Sequence, residues 1–125
     1  MKVYLDDERT PRPPTFTENE EWREDWREWV VVRRVIDAID LLTTGIVTEI
    51  SLDHDLGPEN LWQTGYEVLL WIEEQVVRNG FKPPKMHVHT ANPSAWRKMF
   101  AAVKKIQQLA EENNDDGIKV SEASC

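Results

Sequence analysis

The sequence predicts a single α/β domain with a mainly parallel sheet of four or five strands. Two observations carry this expectation. Short β-branched or apolar runs alternate with stretches of helical periodicity along 125 residues, the pattern of right-handed β-α-β crossovers. Hydrophobic residues make up 40% and charged residues 30% of the chain, the balance of a globular domain with a buried core.

Lys2-Val3-Tyr4-Leu5 is a short buried strand that stops at Asp6-Asp7. Thr10, Pro11, Pro13 and Pro14 mark a loop, because proline donates no backbone bond and restricts its predecessor. The stretch 18–28 is densely charged, with Trp22 and Trp26 four apart and Thr17 and Glu20 placed as a capping box. It reads as a short helix within an insertion at about 12–28. Trp29 to Arg33 includes three consecutive valines, which favour a strand over one long helix. Val35, Ile36, Ile39 and Leu42 recur at helical spacing, and Gly45 closes that helix.

Val47 to Leu52 is the third strand and ends in Asp53-His54-Asp55-Leu56-Gly57. The next helix runs from Gly65 to Asn79 on Tyr66, Leu69, Leu70, Ile72, Val76 and Val77, with Gly80 as its cap. Met86 to His89 is the fourth strand. Asn92-Pro93 opens the last helix with an N-cap residue and a first-turn proline. Its buried stripe is expected to be Trp96, Met99, Phe100, Val103, Ile106 and Ala110. The domain is expected to span 1–113, followed by an acidic tail over 114–125 in which Ile118 and Val120 form either a fifth, edge strand or a frayed end.

Bulk properties remove several functions. A net charge of −8 argues against duplex DNA as a partner. No apolar run approaches the ~20 residues of a membrane span. Cys125 is the lone cysteine, so neither a disulfide within the chain nor a thiolate metal site is expected. With no signal-like segment after Met1, a cytoplasmic location is expected.

In an open parallel sheet, ligands bind beyond the carboxyl ends of the strands. That rule selects Asp6-Asp7, Asp53-His54-Asp55 and the segment from His89 to Asn92. If the first strand lies between the second and third, all three fall on one edge. Crowded carboxylates repel one another, and a divalent cation offsets the repulsion. Carboxylate oxygens suit Mg²⁺ or Mn²⁺, so Asp6, Asp7, Asp53 and Asp55 are the candidate metal ligands. Arg9 could grip phosphate oxygens through its planar fork. Each residue also has an ordinary reading: a turn for Asp6-Asp7, a solvated loop for residues 53–55, a helix cap for Asn92, backbone satisfaction for Thr90. His87 and His89 share a strand face. His89 is nearer the carboxyl end and is assigned to the site, whereas His87 is assigned to packing. Trp62 could wall a pocket or stack on a base.

The strings Leu5-Asp6-Asp7-Glu8-Arg9-Thr10-Pro11, Ser51-Leu52-Asp53-His54-Asp55-Leu56-Gly57 and His89-Thr90-Ala91-Asn92-Pro93 together resemble the cyclic-phosphate-processing receiver domains, divergent relatives of two-component receivers. The resemblance covers roughly residues 2–110. It implies a receiver-like (flavodoxin-like) three-layer fold and a metal-dependent site for cyclic phosphates, either 2′,3′-cyclic ends of RNA or a cyclic nucleotide. By position, Asp6 and Asp7 match the receiver acidic pair and Asp53 the phosphoacceptor position. His54, Asp55 and the segment from His89 to Asn92 match what is particular to the cyclic-phosphate group. Thr90 stands where that group usually carries serine. The receiver lysine has only Lys119 as a counterpart, which argues against phosphoryl signalling.

Three functions follow as expectations. In a phosphoesterase, Asp53, His54 and His89 are catalytic, with one of the histidines activating water or protonating the leaving oxygen. Arg9, Thr90 and Asn92 then bind substrate. The alternatives are a non-catalytic cyclic-nucleotide binder or interaction module, and a phosphoacceptor switch at Asp53. The Trp-bearing insertion could support homo-oligomerisation.

Overall fold

The computed structural model describes residues 1–7, 28–56, 63–90 and 92–123, with side chains of the final helix described to residue 113. Residues 18–27 of the expected helix, and Trp62, lie outside the described residues. Four strands form one sheet: β1 (Lys2–Leu5), β2 (Trp29–Val32), β3 (Glu49–Leu52) and β4 (Lys85–Val88). All pairings are parallel and the order is β2-β1-β3-β4. The helices are α1 (Val35–Thr43), α2 (Gly65–Asn79) and α3 (Pro93–Ala123). This is the expected receiver-like α/β fold.

Strand alternation gives the sheet two different faces. Val3, Leu5, Ile50, Leu52 and Met86 point to one side and form a single aliphatic core with Val35 and Leu42 of α1, Val68, Leu69, Ile72 and Val76 of α2, and Met99, Val103 and Ile106 of α3. The other face carries Lys2, Tyr4, Trp29, Glu49, Ser51 and His87. Its contacts are polar and aromatic. His87 Nε2 lies 3.1 Å from Glu49 Oε2, Lys2 Nζ lies 3.2 Å from Glu28, and the Tyr4 and Trp29 rings meet edge to face at 6.3 Å.

Helix ends follow local chemistry. Thr64 accepts a hydrogen bond from the Tyr66 backbone and caps α2. Gly80 stops that helix in a left-handed conformation (φ 63°) that disfavours a side chain. Asn92 Oδ1 accepts from the Ser94 and Ala95 amides at 3.1 and 3.2 Å, as its cap role anticipated.

Three expectations need correction. Trp96 and Phe100 are 41% and 38% exposed and stack on each other at 4.7 Å, rather than joining the core. Met99, Val103 and Ile106 are buried as expected, and Ala95 and Ala102 join them on the core side of α3. Ile36, Leu70 and Val77, counted in the apolar stripes of α1 and α2, are exposed as well. The backbone remains helical from Pro93 to Ala123, so residues 118 and 120 form no fifth strand. No helix among the described residues is long and apolar enough to cross a membrane.

Candidate functional site

The strand order places β1 between β2 and β3, so the carboxyl ends of β1, β3 and β4 share one edge. Parallel pairing continues one residue past each strand: the Asp53 amide donates to Leu5 O at 3.0 Å and the His89 amide to Leu52 O at 3.0 Å. Asp6, Asp53 and His89 therefore stand abreast, as the next residues on the polar face after Tyr4, Ser51 and His87.

These three side chains converge. Their potential ligand atoms all lie within 4.8 Å of one another. Asp6 is 0% and Asp53 is 4% exposed. His89 Nε2 is 3.2 Å from Asp6 Oδ2, while Nδ1 is 2.7 Å from Ser51 Oγ. The imidazole also stacks on Tyr4, with centroids 4.2 Å apart and planes 7° from parallel. Two buried carboxylates beside an imidazole are unfavourable as bare charges and suited to a divalent cation. The donor set of two oxygens and one nitrogen thus fits the expected metal, with His89 joining Asp6 and Asp53 as a candidate ligand.

The remaining site residues take other positions. Asp7 is partly buried, beside the cluster but not within it. His54 donates its backbone N–H to Asp53 Oδ1 at 2.8 Å. Its Nδ1 lies 2.8 Å from Asp55 Oδ1, and that carboxylate is exposed. Asp55 thus orients a histidine and stands outside the buried cluster. Thr90 Oγ1 accepts from the Asn92 amide at 3.2 Å, and the Asn92 side chain caps α3. Both sit at the strand-to-helix junction on the same edge. Arg9 lies outside the described residues.

Sequence reasoning missed Arg33, Tyr4 and Ser51. Arg33 Nη1 donates to the Asp6 backbone carbonyl at 2.9 Å and brings a cation to the acidic edge. The signal was present, since Arg33 follows an apolar strand just as Asp6 does. Tyr4 read only as a strand residue, and Ser51 entered only as the first residue of a quoted string with no role of its own, because their contact with His89 depends on which strands are neighbours.

The fold and this edge define a receiver-like domain with a cluster of two aspartates and a histidine at its strand ends. The cyclic-phosphate processing receiver domain family matches residues 1–105, and the chain belongs to that family. No curated protein and no solved structure matches the chain.

Proposed function

We propose that this domain is a metal-dependent phosphoesterase that opens a cyclic phosphate, either the 2′,3′-cyclic end of an RNA or a cyclic nucleotide. The convergence of Asp6, Asp53 and His89 at the carboxyl edge of the sheet carries this reading. A Mg²⁺ or Mn²⁺ ion held there supplies Lewis acidity toward a phosphoryl oxygen.

The two histidines then divide the work. His89 faces the carboxylates and serves as a ligand. His54 is paired through Nδ1 with Asp55, which keeps Nε2 available for proton transfer. Water attacks phosphorus, a new P–O bond forms and one ring P–O bond breaks. His54 takes the water proton and returns a proton to the departing ester oxygen. Arg33, whose Nη1 already lies at the Asp6 carbonyl, together with Arg9 and Thr90, offers positive charge and a hydroxyl to the non-bridging oxygens.

The test combines calorimetric titration of Mn²⁺ and Mg²⁺ with a hydrolysis assay on 2′,3′- and 3′,5′-cyclic nucleotides. Wild type is expected to bind metal and open at least one ring. Asp53→Asn is expected to lose both properties while keeping its far-UV spectrum. A fully active Asp53→Asn protein overturns the scheme. Tight binding of a cyclic nucleotide recovered unaltered favours the non-catalytic binder.

A further inference from the structure

His89 is held on three sides, and two of the groups that hold it lie outside the acidic pair. Tyr4 stacks flat on the ring. Ser51 meets Nδ1 at 2.7 Å, and Asp6 meets Nε2 at 3.2 Å. Turning the ring over would set carbon atoms against both oxygens. Ser51 is also closed off from solvent. It sits in β3 between Ile50 and Leu52, which are fully buried, and is itself 7% exposed. A hydroxyl at such a place needs a hydrogen-bond partner, and His89 supplies it.

A carboxylate only accepts hydrogen bonds. With Asp6 ionised and the ring neutral, Nε2 carries the proton toward Asp6 and Nδ1 accepts one from Ser51 in the metal-free protein. A cation bound at Nε2 inverts this arrangement. Nε2 then gives its lone pair, Nδ1 carries the proton and the group beside it must accept. A hydroxyl fills both roles, whereas a carboxylate or a carbonyl fills only the second.

We propose that Ser51 is a positioning residue: as donor without metal and acceptor with it, its hydroxyl keeps His89 Nε2 aimed at Asp6 and Asp53 in both states. The metal-bound half of this statement rests on the proposed metal-dependent function. The metal-free half does not.

The first measurement is nitrogen NMR of histidine-labelled, metal-free protein at a pH where the ring is neutral. Wild type is expected to show His89 with its proton on Nε2. Ser51→Ala is expected to show a mixture of the two tautomers, and Ser51→Thr, which keeps the hydroxyl, the wild-type form. The second is calorimetric titration with Mn²⁺. Ser51→Ala is expected to bind about 10–100-fold more weakly, the usual effect of removing a partner behind a metal ligand. Ser51→Thr is expected to recover most of that loss. In a His89→Ala background, Ser51→Ala is expected to add nothing, because its effect passes through the ring. An equal loss in that background, or an unchanged tautomer in Ser51→Ala, overturns the proposal. Should wild type bind no Mn²⁺, the metal-dependent function falls, and the tautomer comparison alone decides the role of Ser51.

Discussion

Within the site, single atoms separate the roles of residues that look alike in sequence. His54 and His89 each pair with an aspartate, but Asp55 is exposed and Asp6 is fully buried. Under the proposed function, this difference gives ligation to His89 and proton transfer to His54. The expected result of His54→Gln is retained Mn²⁺ binding with turnover reduced about 10²–10⁴-fold, the usual contribution of a general acid or base. Parallel calorimetry and rate measurement test it. His89→Ala is expected to weaken both.

Gly65 shows how tightly the edge is built. A methyl group placed there falls on the backbone carbonyl oxygen of Asp53 and lies 3.1 Å from Met99 Cε. Since that oxygen belongs to backbone, α2 itself must shift to make room. Gly65→Ala is therefore expected to lose about 1–3 kcal/mol of stability in urea unfolding, as overpacking does. The displacement also moves Asp53, so Mn²⁺ affinity is expected to fall with it. The sequence marked Gly65 only as a helix start, because the close approach of α2 to the end of β3 is a tertiary fact. For the same reason Asp6, Asp53 and His89 could each be nominated from strand ends, while Ser51 and Tyr4 could not. Their function depends on neighbours 38 and 85 residues away in the chain, as the numbering shows.

At the level of elements, helix limits were more legible than helix faces. The Asn92-Pro93 start, the Gly65–Asn79 span and the Gly80 stop all rest on local backbone chemistry, and the structure repeats them. The face of α3 rests on packing. Trp96 and Phe100 share the apolar character of Met99 and Val103, so periodicity placed them together. In the fold, two small residues, Ala95 and Ala102, occupy the core side and the larger rings stack on the flank. Lys105 also bridges to Glu73 at 2.9 Å, tying α3 to α2 along the opposite flank. The Asn92 cap contributes locally: Asn92→Ala is expected to cost about 1 kcal/mol in denaturant unfolding, with Mn²⁺ binding retained because the residue lies outside the ligand cluster.

Over the whole molecule, charge and chemistry act in opposite directions. The chain carries −8, and a cyclic phosphate is an anion, so long-range forces slow its approach. Under the proposed function, a cation held by Asp6, Asp53 and His89, together with Arg33, would reverse the sign locally. Raising ionic strength from about 0.02 to 0.2 M shortens the Debye length and screens that repulsion. Under the proposed function, kcat/KM for a cyclic nucleotide is expected to rise by roughly 2–3-fold across this range. A fall instead would indicate attraction governed by the local positive groups.

The two faces of the sheet carry one more implication. Within each strand the residues of the core and those leading to the site occupy alternate positions: Val3 and Leu5 against Tyr4 and Asp6, Ile50 and Leu52 against Ser51 and Asp53. A single-residue insertion or deletion inside β1 or β3 would exchange the two sets, burying the carboxylates under the helices and turning the aliphatic residues outward. The candidate site and the hydrophobic core are thus written in one reading frame. A change of length inside either strand would therefore displace the site and the core together.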